Sequence, residues 1–234
     1  MKIYKYLSLN TCEQRQRFLR ILRTGEIWFS KFHTLGDPME GIYHTYACEQ
    51  TKRLFASEKN KYLIGCFGKS ARNHSRWAYY ADSYSGACVE IDTIHDSRKS
   101  NNIIDVAEVE YVSKEKFKEA IHPSTKSIPV VLSRKLSSWK DENELRLLTV
   151  KGTQLRENGS YIKVGQVTSV TLGINIPLQA ICFLKNNVTL DIQYNNKLKW
   201  KIKELMKPVK HCCQLQNALN ELEQYKHWRA GFGD

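Results

Sequence analysis

The chain has 234 residues, of which 41% are hydrophobic and 11% aromatic, enough to build a real core and too apolar for a disordered polymer. Its formal net charge of +12 makes an anionic partner a natural expectation. No apolar run approaches the ~18 residues of a membrane span, so a membrane partner is not expected.

The opening M-K-I-Y-K-Y-L-S-L-N carries charges inside its apolar stretch and has no small-residue cleavage site, so it does not read as a secretory leader. The cysteines number seven, an odd count, and only Cys212 and Cys213 adjoin. No C-x-x-C pair or Cys/His zinc spacing is present in the sequence, so reduced thiols in a cytoplasmic protein, without a bound metal, are expected.

In chain order, residues 2–9 alternate as a first strand, with Ile3, Lys5, Leu7 and Leu9 on one side and Tyr4, Tyr6 and Ser8 on the other. A helix follows from Thr11, a capping residue, to Arg23, with Phe18, Leu19 and Leu22 as its apolar stripe and Gly25 as its stop. E-I-W-F-S is a short strand. The loop T-L-G-D-P-M-E-G comes next, and Asp37 and Glu40 serve there either as turn residues or as site carboxylates. Residues 43–60 read as a partly exposed helix, Tyr62 to Phe67 as a buried strand, and 75–83 as a helix crowded at one end by Trp77, Tyr79, Tyr80 and Tyr84. Those four rings form either a core plug or a stacking platform. Ala87 to Ile91 is a further strand.

Beyond a loop, a strand is expected near Val106–Val112 and a basic helix near Lys114–Ala120, while Pro123 and Pro129 bound a linker-like piece. Past Lys151 the pattern predicts short strands at Tyr161–Val164, Val167–Leu172, Ala180–Leu184 and Val188–Ile192. Residues 195–234 form a basic, mainly helical extension in which Leu215, Leu219 and Leu222 have helical spacing. No repeat or linker divides the chain, so one α+β domain spanning 1–234 is expected, with split, mostly antiparallel sheets flanked by helices.

The densest chemistry lies in W-K-D-E-N-E-L-R-L-L-T-V, residues 139–150. A period of two places Glu142, Glu144 and Arg146 on one face of a strand entered from a polar turn. Such a trio is either a solvated surface pair worth ~0.2–1 kcal/mol or an E-x-E site, in which one carboxylate stabilises a developing positive charge and the other orients an acceptor.

The ordered set I-Y-K-Y, L-R-T-G-E-I-W-F-S, G-D-P-M-E-G, C-F-G, W-A-Y-Y-A-D-S-Y-S-G and W-K-D-E-N-E-L-R resembles a bacterial family catalogued as domain of unknown function 2971, over about residues 1–150. The same layout resembles the ADP-ribosyltransferase superfamily, whose members begin on a strand bearing His or Arg, continue through a helix ending in Gly and an aromatic-bearing helix, and carry a catalytic Glu on a late strand. That second resemblance implies an ADP-ribosyltransferase-like fold and a mono-ADP-ribosyltransferase using NAD as substrate. Glu144 would stand in the catalytic place, with Glu142 and Tyr80 beside it in the reaction. The NAD contacts it implies are Lys5, Tyr4, Ser30, Trp77, Tyr79, Tyr80 and Arg146. Where many relatives carry His, this chain carries Lys5, which can still donate to a ribose hydroxyl or a phosphate. It further implies a bacterial toxin or phage-defence effector, with a protein antitoxin as a partner.

The chemistry asks for such residues. Cleaving the nicotinamide–ribose bond passes through an oxocarbenium-like state, which a fixed carboxylate stabilises, and a tyrosine face suits the planar cationic nicotinamide. Two basic segments, Arg15, Arg17, Arg20 and Arg23 in one and Lys199, Lys201 and Lys203 in the other, point to a nucleic-acid acceptor, RNA ahead of DNA. Two other readings use the same residues. In a metal-dependent nuclease, Asp37, Glu40, Glu142 and Glu144 would hold Mg²⁺. In a non-catalytic nucleic-acid or regulatory module, the aromatics would stack bases.

Overall fold

The computed structural model describes residues 1–93, 104–150, 158–187 and 199–202. The protein is α+β, and most of its strand pairs are antiparallel. β1 (Lys2–Leu7) leads into α1 (Cys12–Thr24), which opens on a full capping box. Thr11 accepts from the Gln14 N–H, and the Gln14 side chain accepts from the Thr11 N–H. Gly25 ends α1 in the left-handed region at φ 67°, which glycine adopts without a Cβ penalty. β2 (Glu26–Ser30), α2 (Glu49–Lys59), β3 (Tyr62–Gly68), α3 (His74–Tyr79) and β4 (Ala87–Thr93) complete the first half. Then come β5 (Ile104–Glu108), β6 (Glu110–Val112), α4 (Lys114–Phe117), α5 (Ser127–Leu132), β7 (Arg134–Leu136) and β8 (Glu144–Val150). β9 (Gly159–Lys163), β10 (Gly165–Leu172), α6 (Leu178–Asn187) and β11 (Lys199–Ile202) follow.

The chain divides into two compact units, each assembled from separated segments. The first takes Met1–Glu26, Ser70–Thr93 and the described chain from Val164 on. It holds the strand row β11-β10-β4-β1, with β10 and β11 parallel and the other pairs antiparallel. Its aromatic core joins Tyr6, Trp77, Ala81 and Cys88, with Tyr4, Ala71 and Tyr84 packed against them. The second unit takes Ile27–Lys69 and the described part of Ile94–Lys163. There β8 lies between β3 and β5, antiparallel to both. Its core gathers Phe55, Ile64, Ile128, Val131, Leu132 and Leu148.

Four expectations are corrected. Ala180–Leu184 is helical, within α6, because Ala180, Ile181 and Leu184 are buried at helical spacing and Pro177 starts the first turn, accepting from the Ala180 and Ile181 N–H groups. The stretch bounded by Pro123 and Pro129 is no linker. Pro129 falls in the first turn of α5, where a missing N–H costs little, and Ile128, Val131 and Leu132 are core. The strand near Val106–Val112 is two strands, broken where Val109 turns inward. The helix expected over 43–60 begins only at Glu49, with the preceding residues extended enough for His44 to bridge Ala120. The expected strand Val188–Ile192, Lys203 and the helix at Leu215–Leu222 lie outside the described residues. Among those described, no helix is long and apolar enough to cross a membrane.

Candidate functional site

The residues of the E-x-E stretch meet in the second unit, but by a route the period of two does not foresee. Glu142 ends a 3-10 turn (Ser137–Glu142) and Asn143 takes a left-handed φ of 44°, so Glu142 does not share the strand with Glu144 and Arg146. β7 supplies the group that reunites them. The Lys135 ammonium donates to Glu142 Oε2 at 2.7 Å and to Glu144 Oε2 at 3.0 Å.

The other Glu144 oxygen accepts from Arg146 Nε at 2.8 Å, and Arg146 grips Glu40 with two N–H···O bonds at 2.7 and 2.6 Å. Arg146 also donates to the Leu132 carbonyl, and the Glu144 N–H donates to the Tyr111 hydroxyl at 2.8 Å. The expectation of a surface pair fails. Glu142, Glu144 and Arg146 expose 3%, 2% and 0% of their surface, and the groups packed against them are Lys135 and Glu40, themselves 4% and 6% exposed.

The G-D-P-M-E-G loop resolves its own ambiguity. Asp37 is the turn residue, accepting from the Met39 N–H at 2.9 Å, and Glu40 is the carboxylate turned into the network. Burial raises the Glu40 carboxyl above its ordinary range, against the pull of Arg146 and Lys135. Burial alone would lower the Lys135 ammonium, but Glu144, Glu142 and Glu40 reverse that and raise it; Arg146 is raised in the same way, with Glu144 foremost. Both cations are therefore held in their charged forms against burial.

Glu40 also borders a pocket of about 480 Å³ walled by Phe32, Tyr43, His44 and Lys59. Ser30, another expected NAD contact, lies in this unit at the end of β2, opposite Ile64 of β3.

The remaining expected contacts belong to the first unit. Trp77 is fully buried, its indole N–H donating to the Ala71 carbonyl at 2.8 Å, while Tyr79 and Tyr80 are 78% and 42% exposed. The four-ring cluster is thus both things at once, a plug at Trp77 and an open surface at Tyr79 and Tyr80. The Arg76 guanidinium lies 5.4 Å from the Tyr80 ring centre. Tyr84 stacks on Trp77 at 5.7 Å, and its hydroxyl meets His74 Nδ1 at 2.8 Å. On β1, Tyr4 hydrogen-bonds Glu90 and faces the same side as Tyr6, whereas Lys5 projects to the opposite side with Ile3 and Leu7. Within this unit the structure brings Tyr4 and Trp77 into one cluster and turns Lys5 away from it.

Of the basic residues on α1, Arg17 pairs with Glu13, Arg20 pairs with Glu26, and Arg15 donates to the carbonyls of Leu9 and Asn10. Lys199 and Lys201 fall on β11.

Sequence reasoning missed Lys135 and Lys59. Lys135 has a faint signal, the middle place of the short strand R-K-L just after a buried apolar helix. Lys59 has none, since in A-S-E-K-N-K it is indistinguishable from Lys61, which pairs at the surface with Glu58. Among the described residues no His, Cys, Asp and Glu group has the arrangement of a metal centre. Comparison with protein-family models, with curated proteins and with solved structures gives no match.

Proposed function

We propose that this chain is a mono-ADP-ribosyltransferase that moves ADP-ribose from NAD to a nucleic acid, RNA in the first instance. The observation that carries the reading is the convergence of Glu142 and Glu144 on one buried cation, the Lys135 ammonium, at 2.7 and 3.0 Å. Two carboxylates aimed at a single positive centre in a dry environment are what a ribosyl oxocarbenium requires at the moment nicotinamide leaves. In this reading Lys135 occupies the place of that charge at rest and swings aside when substrate enters. Glu144, braced by Arg146, then faces the ribose, and Glu142 orients the acceptor. The net charge of +12 supports a polyanionic acceptor, and an acidic antitoxin protein fits the same surface. A bacterial toxin or defence effector is the role this chemistry would serve.

One observation favours a different reading, a non-catalytic binding module. Both oxygens of Glu144 already have cationic partners, as a structural network would have them. Incubating the protein with labelled NAD and total RNA, without metal, separates the two. The transferase releases nicotinamide and labels RNA, and Glu144→Gln lowers turnover roughly 10²-fold or more per folded molecule. Glu142→Gln spares NAD hydrolysis more than transfer. No nicotinamide release and no NAD-dependent rise in melting temperature would leave the module, and RNA cleavage abolished by EDTA would point to a nuclease.

A further inference from the structure

The pocket beside Glu40 holds a chemical group that the ion-pair network does not use. Lys59, the last residue of α2, turns inward and is 7% exposed. Its Nζ donates to the Gly41 carbonyl at 2.5 Å and lies 4.2 Å from the centre of the Phe32 ring and 4.9 Å from that of Tyr43. Gly41 makes this closure possible. It sits at φ 68°, and a Cβ there would come within 2.7 Å of the Phe32 ring. The other titratable groups lining the pocket are Glu40, Tyr43, His44 and Lys52. Glu40 is engaged by Arg146 and Lys52 by Glu49, and among the described residues no carboxylate pairs with Lys59. Burial therefore acts on this amine without an anion to oppose it, lowering it from the ordinary 10.5 to about 8.

We propose that Lys59 is an amine nucleophile that captures a small aldehyde or ketone as an imine inside this pocket. The neutral Nζ attacks the carbonyl carbon, and the π pair of the C=O bond moves to oxygen, which takes up the proton that nitrogen gives up. The carbinolamine then loses its hydroxyl as water, using one proton from solvent, and leaves a protonated C=N bond. The sum is amine plus carbonyl plus a proton to iminium plus water. The faces of Phe32 and Tyr43 that border the resting ammonium suit the iminium as well, because it is a cation with a dispersed charge. The same faces favour a flat carbonyl compound over a bulky one. This chemistry neither uses NAD nor depends on the transferase reading.

The test uses the full chain with salicylaldehyde and sodium cyanoborohydride, which reduces an imine to a stable secondary amine that peptide mass mapping locates. At pH 7 an amine at about 8 is neutral roughly 300 times more often than one at 10.5. A lower basicity also makes it a weaker nucleophile, so labelling of Lys59 is expected at least about 10-fold faster than labelling of Lys61, with a rate that rises with pH and levels off above about 8. Lys59→Arg keeps a charge under the rings but forms no stable imine, and it should abolish the fast adduct. Equal labelling of Lys59 and Lys61, a fast adduct that survives in Lys59→Arg, or a rate still climbing towards pH 10.5 would each overturn the proposal.

Discussion

Glu144 holds two cations with one carboxylate, and that governs what removing its charge does. Glutamine has the same size and can still accept one hydrogen bond, but it would leave Lys135 and Arg146 underpaired at a place from which water is excluded. Breaking a buried pair from one side costs about 3–5 kcal/mol. Glu144→Gln is therefore expected to lower unfolding stability by about that much, measured by urea titration. Glu26→Gln, which breaks the partly exposed pair with Arg20, should cost about 1 kcal/mol or less. Equal losses in the two variants would mean that the network around Lys135 is open to water. The same comparison tells how much of any fall in NAD turnover is unfolding, so the catalytic test has to be read per folded molecule.

At the scale of elements, α3 and the turn after it divide one aromatic cluster into two roles. The helix ends at Tyr79, and in the turn beyond it Asp82, Ser83 and Tyr84 all take left-handed φ values, 48°, 51° and 67°. Such a conformation costs roughly 1–2 kcal/mol per residue, least for the short polar side chains that can bond locally. Tyr84 is held in it by its stack on Trp77 and its bond to His74. Trp77→Ala should then cost about 3–5 kcal/mol, the usual loss for a large buried aromatic. Tyr80→Ala should cost about 1 kcal/mol or less, since its ring is 42% exposed and its contact with Arg76 is a partly solvated one. Denaturant midpoints of the two variants check this. A loss at Tyr80 as large as that at Trp77 would put its ring in the core and remove it as a stacking surface.

For the whole molecule, the charge of +12 is less concentrated than the run of arginines suggests. Two of the four arginines of α1 sit against carboxylates and a third is tied to backbone carbonyls, so the helix offers phosphate a diluted field. If α1 nevertheless tracks an RNA backbone, replacing Arg17 and Arg23 by Glu removes two phosphate contacts. The slope of log affinity against log salt should then fall by about 1.4, at roughly 0.7 per contact on a single strand. Fluorescence anisotropy with a short RNA at several salt concentrations measures it. An unchanged slope would move the polyanion surface off this helix. The chain also enters each compact unit more than once, so neither unit corresponds to a single stretch of sequence.

What the sequence by itself determined is what depends on near neighbours. The capping residue Thr11, the glycine stop at Gly25, the period-2 runs of β1 and β8 and the strand runs of β3 and β4 are local signals, and each stands close to where the pattern predicts it. The α+β class follows from them. Tertiary structure decided what local pattern cannot encode. The run A-I-C-F-L suits a strand or a helix equally, and packing of Ala180, Ile181 and Leu184 chose the helix. Alternation placed Glu144 and Arg146 on one face of β8 but could not say that the face is covered. Burial depends on what lies above a side chain, and here that includes Glu40, over a hundred positions away in sequence, and Lys135 on another strand. For the same reason Lys59 and Lys61, two positions apart at the end of α2, have different chemistry. One turns under two rings and loses its water, and the other stays at the surface beside Glu58.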